Sequence, residues 1–452
     1  VNIQSVFLPN DTEKALASAF RRLSKTLPGN ADPLVAASRA GAMAHFEKTG
    51  LPHRRLESWR YTDLRHLLTM PPDLNISARH AVGREEFENH PLVAALKPLN
   101  PYWMVFIDGT YVADLSGGPS LPEGAEISAL SQGPLPSWAQ DNIISQDAEC
   151  IGSIFNLNTA LMSDGALIRL REGVNLQIPI AIVYLGASNS SSHSRNIIEV
   201  ENGASISIAE AHGSLGKLRD VTTVAAMWRI GDNTRVDHIK VQQMSETSVH
   251  LAPHLTQIGA TSRVSSFTMS LGALLSREER QVHCEGKDTS ISMSGSYIID
   301  GKRHCDTTLI VNHEAPGCVS REKYKGLVDD CARGVFQGSI IVDKIADKTD
   351  AKQSVDAILL SDDASHNAKP ELEIYADDVQ CGHGATTGEL DSAALFYLCA
   401  RGIPVAKAEG ILIAAFVRDG LQEVERGDLR EVLERLADEK LSGRNAGNEI
   451  RE

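Results

Sequence analysis

The densest group of chemistry-bearing residues is the run DDVQCGHGATTG, from Asp377 to Gly388. Cys381 and His383 stand two apart, so an extended backbone points both side chains to one face, where they can act together. A metal, thiol or interface role is one reading of that pair. The other is a tight glycine-rich exit from a β region, with His383 merely hydrogen-bonded. The run is not a phosphate loop, because it lacks the GK[ST] ending that places a lysine on terminal phosphates.

Elsewhere the histidines and cysteines are poorly placed for joint chemistry. His283-Cys284 and His304-Cys305 are adjacent pairs, and consecutive side chains of a strand point to opposite faces. His313 and Cys318 bracket the loop NHEAPGC and can approach each other, but no four-ligand zinc spacing occurs. The seven cysteines are odd in number, widely spaced and without a CxxC, which fits a reducing interior better than a disulfide scaffold. The aspartate pairs 329-330, 362-363 and 377-378 raise one catalytic alternative, a β-helix polysaccharide lyase or hydrolase. Such an enzyme needs carboxylates grouped on one exposed strip, and adjacent aspartates in a strand split between faces. No GxSxG elbow or HExxH helix is present.

Three regions must position these residues. Residues 1-150 read as mainly helical: Asp11 to Leu27 carries an apolar helical face with Asp11 or Thr12 as cap, and Pro33 opens a second helix that Gly50 ends. A strand is expected at Tyr102-Ile107, followed by a turn at Asp108-Gly109. Residues 151-385 change to a period of two. Val174, Leu176 and Ile178 are expected on one side of a strand. Similar runs start at Ala204, Thr234, Ser262, Thr289 and Thr307. No long helix interrupts them, which excludes an alternating βα plan.

The length exceeds that of a simple sandwich. Thirteen of the 18 prolines fall in the first 136 residues, and only Pro253 and Pro316 lie between Ile180 and Lys369. Aromatics are 5% of the chain. Both facts suit a parallel β-helix, whose rungs donate backbone N–H groups to one another around a narrow interior, although no exact repeat is visible. Residues 386-452 return to helices, ending at Gly402, restarting at Pro404 and again at Asp428.

The whole chain has 452 residues, 42% hydrophobic and 23% charged, as expected of a folded protein. Its formal charge of -15 repels nucleic acid and anionic membranes. No 18-residue apolar stretch spans a bilayer, and the polar opening VNIQSVFLPNDTEK carries no secretory pattern. A cytoplasmic location is expected. The segment 385-417 is unusually apolar, with Leu395, Phe396, Tyr397, Ile411 and Phe416. Part of it must pack on the β body, and any face left over makes a protein-binding surface.

The run from Tyr324 to Phe416, with CGHGATTGELD followed by ALFYLCARGI, resembles the core and C-terminal signature of the SufB/SufD family, closest to its SufD branch. LPHRRLESWRYTDLR (Leu51 to Arg65) is similar to the segment by which that branch enters its fold, and the resemblance covers about 50-418. It implies a right-handed parallel β-helix core flanked by N-terminal and C-terminal helical domains. It implies a non-catalytic scaffold that pairs with SufB through the β-helices and builds iron–sulfur clusters, with sulfur from a SufS/SufE-type system. The isolated chain would form a homodimer.

The resemblance places the SufC ATPase contact at Leu390 through Phe416, which includes Leu390, Leu395, Phe396, Tyr397, Ile411 and Phe416. It places the functional histidine at His383, associated with iron or cluster formation opposite SufB. Neutral imidazole ligates iron and takes a proton near neutral pH. Cys381 lies in the same motif without an assigned sulfur-acceptor role. Iron or a nascent cluster would be held transiently in complex with SufB, and no cofactor tightly by this chain alone. Family complexes can contain reduced flavin, but no nucleotide fingerprint occurs here.

Overall fold

The computed structural model describes residues 9–68, 81–144 and 152–449. From Ala166–Leu170 onward consecutive strands alternate between two sheets, and each pairs in parallel with the strand two further on. The chain therefore winds as a two-walled solenoid. It returns to the same place after about 28 to 31 residues. Among the described residues one wall has ten strands, starting at the hairpin Tyr102–Ile107 and Thr110–Tyr111 and ending at Gln380–Gly388. The other has nine, from Ala125–Ala129 to Ser365–Ile374. The expected β-helix core between helical ends is what is found. Its first strands lie before residue 150 and its last runs to Gly388.

One corner of the solenoid is a column of left-handed residues. Gly173, Gly203, Asn233, Thr261, Asp288, Gly317 and Lys348 all have positive φ. The N–H of each donates to a carbonyl of the next rung, for example Gly203 to Asp232 and Lys348 to Asp378. Glycine, asparagine and aspartate tolerate this conformation at little cost, which explains five of the seven.

The strand expected over Val174 to Ile178 is not formed. Gly173 turns the chain and Pro179 has no N–H to give the ladder, so the segment is a corner with one bridge, Asn175 to Ser205. The first helix, Asp11–Leu23, is capped by Asn10 and not by Asp11 or Thr12. Asn10 accepts from Glu13 N, and Glu13 accepts from Asn10 N, a reciprocal pair that neither later residue can make. The strand Tyr102–Ile107 and the helix opened by Pro33 and closed at Gly50 stand as expected.

The N-terminal helices divide between the two walls, Phe87, Leu92 and Val93 packing on the ten-stranded one beside the C-terminal helices. Trp59, Ile154 and Leu157 pack on Val221, Val249, Leu251 and Leu275 of the nine-stranded wall. Ile413, Val417 and Leu421 pack with Ile298 and Leu327 of the ten-stranded wall. Lys323 and Lys325 then reach Asp419 at 3.1 and 2.9 Å, fixing the long helix Val405–Leu421 on that wall. Among the described residues no helix is long and apolar enough to cross a membrane.

The interior is apolar over its first turns and charged in the middle. Glu210, His212, His238, Lys240, His254, Glu278 and Arg280 are all buried there. Glu278 accepts from Lys240 Nζ at 2.7 Å and from Arg280 Nε at 2.6 Å, and Glu210 lies 2.5 Å from His212 Nε2. Two carboxylates against one lysine and one arginine leave the group balanced, as burial of charge requires.

Candidate functional site at the open end

The last turn is made by Ser365–Ile374 and Gln380–Gly388. Among the described residues neither strand has a neighbour on its outer edge. Residues that would be lumen-buried one turn earlier are therefore uncovered here. Cys381 pairs with Ala351 and His383 with Gln353 in the ladder. Ala351 and Gln353 are buried, so Cys381 and His383 both face the lumen side at its mouth. The structure thus brings the two together on one face.

Cys381 is half-buried, beside Ala351 and Ala376. Loss of water raises its thiol above the ordinary value, partly offset by the Ala351 backbone. His383 is exposed.

Three further residues near this end escaped the sequence reading. His366 reaches across the mouth to Thr387, Nδ1 to Oγ1 at 2.8 Å, and burial pushes its imidazole down to about 4. Gln353 lies one strand beneath His383, and Glu322 one strand beneath Gln353. Only knowledge of the register could have found them, because 61 residues separate Glu322 from His383 in the chain.

The other histidine and cysteine pairs do not assemble. Cys284 and Cys305 are buried while His283 turns to Glu314 and His304 to Thr62. His313 is taken by Ser320 at 3.0 Å, and Cys318 by the Gly286 carbonyl. Among the described residues no three His, Cys, Asp or Glu side chains are grouped to hold a metal ion. The aspartate pairs sit at corners: Asp330 has a positive φ and accepts from Gly301 N, and Asp378 pairs with Lys348. Asp362 and Asp363 are exposed at the turn stacked on Asp329-Asp330, while Asp377-Asp378 lies at the corner of Lys348.

The apolar C-terminal segment divides in two. Leu390 and Phe416 pack against the core, with Lys325 Nζ 4.6 Å from the Phe416 ring. Leu395 is half-buried. Phe396, Tyr397 and Ile411 are exposed at 74%, 56% and 42%, with Val405 at 56%. Asp391 caps the helix Ser392–Ala400 that carries the first two, accepting from Ala393 N and Ala394 N.

Two family models together match nearly the whole chain. The model described as SUF system FeS cluster assembly, SufBD core domain, matches residues 183–416, and the SufBD protein N-terminal region matches 10–182. An iron-sulfur cluster assembly SufBD family protein of Synechocystis is 30% identical over 89% of this chain and 90% of its own length. The iron-sulfur cluster assembly protein SufD of Escherichia coli is 28% identical, over 86% of this chain and 89% of its own. A SufBD family protein of Mycobacterium tuberculosis is 25% identical over 85% and 87%. A solenoid with an open, cysteine- and histidine-bearing end and these matches lead to one conclusion: the chain belongs to the SufBD family of the SUF iron–sulfur cluster assembly system.

Proposed function

We propose that the chain is a SufD-type, non-catalytic scaffold working with a SufB-type partner and a SufC-type ATPase. The observation that carries this reading is the open last turn, which offers Cys381 and His383 beside two sheet edges that have no neighbour among the described residues. Free edges invite pairing with a second β body. Iron or a nascent cluster, as cargo, is held there transiently by His383, assisted by ligands of the partner. Two groups from this chain leave most coordination positions to that partner. The relative named SufD, matched over most of both chains, supports the SufD assignment.

The exposed ring pair Phe396 and Tyr397, with Ile411, is the surface offered to the ATPase. Leu390, Leu395 and Phe416 support it from behind. Sulfur reaches the assembly from a SufS/SufE-type donor. The test is co-expression with SufB and SufC. The tagged chain should bring both down, and His383→Ala should keep the complex while iron or cluster loading falls. Recovery of the chain alone, while SufB and SufC still associate, refutes the assignment. Intact loading in His383→Ala refutes the role of the histidine.

A further inference from the structure

Beneath His383 the lumen holds a polar column with unmatched atoms. Glu322, Gln353 and His383 are successive ladder partners on one face of three neighbouring strands, which lie about 4.8 Å apart. Glu322 is 1% exposed and Gln353 3%. Both Glu322 oxygens and both Gln353 amide atoms lack a hydrogen-bond partner among the described residues. The nearby Ser320 hydroxyl is engaged by His313, though it still draws the Glu322 carboxyl part of the way back toward its ordinary range. Gly338 on the facing wall leaves space for the amide, since a Cβ there would stand 2.2 Å from Gln353 Nε2. Buried polar atoms left unpaired are costly, and a native fold that keeps four of them in one column invites a functional explanation.

We propose that Glu322 and Gln353 are positioning residues that set which ring nitrogen of His383 carries the lone pair offered to a divalent cation. The inference rests on the reading that His383 binds iron. With Glu322 ionised, its carboxylate accepts from Gln353 Nε2. The amide is thereby turned so that Gln353 Oε1 accepts the N–H of His383, and the outward ring nitrogen is left with its lone pair. With Glu322 protonated, its O–H donates to Gln353 Oε1, and Gln353 Nε2 donates to the inner ring nitrogen. The outward nitrogen then carries the hydrogen and cannot ligate. Partners that fix a ligand histidine's tautomer in this way raise metal affinity about 10- to 100-fold.

Burial pushes the Glu322 carboxyl up to about 8, so it is protonated at neutral pH before a cation arrives. Cation binding at His383 therefore releases one proton from Glu322 to solvent. The titratable groups that face Glu322 are Arg321 on its own strand, Tyr324, Cys284 and Cys381.

The test measures Co(II) binding to the co-purified complex from about pH 6 to 9, in the parent and in Glu322→Gln, Gln353→Met and His383→Ala. Glu322→Gln keeps the side-chain shape but cannot ionise. It should bind about 10-fold more weakly at the alkaline end and lose the rise in affinity between about pH 7 and 9. Gln353→Met should show the same flattening. Parental affinity and pH profile in both variants, with binding weakened in His383→Ala, overturns the inference. Unchanged binding in His383→Ala overturns the site reading instead. If Glu322→Gln fails to co-purify, the Gln353→Met profile decides.

Discussion

Lys240 and Glu278 meet at 2.7 Å across the lumen from opposite walls, with both side chains buried. Arg280 holds the second carboxylate oxygen at 2.6 Å. A buried charge deprived of its partner costs about 3–5 kcal/mol. Glu278→Gln leaves two buried cations facing one another and should lower unfolding stability by that amount, read from denaturant midpoints. Replacing Lys240, Glu278 and Arg280 by Met, Leu and Met together with Glu210→Gln should recover most of the loss, because the balanced group is then removed whole and no buried carboxylate is left without its cations. A loss under about 1 kcal/mol in Glu278→Gln would contradict this.

Stability should rise with pH up to about 6.5 and fall slightly above it. His193, His304, His313 and His366 are pushed down to about 4 by burial. Between about 4 and 6.5 the unfolded chain binds their protons and the folded chain does not, so acid favours unfolding there. Glu210 and Glu278, held well below the usual carboxylate range by His212, His238, Lys240 and Arg280 despite burial, act in the same sense at lower pH. Glu322, raised to about 8, acts oppositely from about 4.5 to 8. Four histidines outweigh it below about 6.5, and it acts alone above. Denaturant midpoints from about pH 5 to 8 should show this maximum, and Glu322→Gln should remove the decline on the alkaline side.

The sequence carried the winding but not the register. Strands such as Ser290–Ile299 and His304–His313 were legible from their alternation, and the helices from Pro33, Gly50, Gly402 and Pro404. The repeat was hidden because the residues marking each rung are of five types, from Gly203 to Lys348. A left-handed corner constrains conformation more than identity. The facing of Cys381 and His383 followed from their spacing of two. Their neighbours Gln353 and Glu322 did not, because a ladder contact leaves no local trace. The buried charges of the lumen were equally silent, since Lys240 and Glu278 look like ordinary surface residues until the walls are closed.

That corner column gives a prediction of opposite sign. Lys348 has φ 63 and an exposed ion pair with Asp378. A side chain with a Cβ costs about 1 kcal/mol in this conformation, while an exposed pair contributes little. Lys348→Gly should therefore stabilise the protein by about 0.5–1 kcal/mol, with the N–H bond to Asp378 retained. A lowered midpoint would mean that the ion pair outweighs the backbone strain.

Phe396 and Tyr397 are adjacent on the helix Ser392–Ala400 and largely exposed, with Arg401 stacked 4.6 Å from the Tyr397 ring. Ile413 and Val417 on the next helix are buried against the solenoid and hold the surface in place. The two groups should respond differently to substitution. Phe396→Ser with Tyr397→Ser removes exposed rings, so stability should change by less than about 0.5 kcal/mol. ATPase capture should fall at least 10-fold, as expected where aromatic anchors carry binding. Ile413→Ala creates a cavity instead and should cost about 2–5 kcal/mol of stability. Calorimetric titration of the ATPase into each variant, beside its melting curve, separates the two. Undiminished capture by the double serine variant would move the docking surface elsewhere on the molecule.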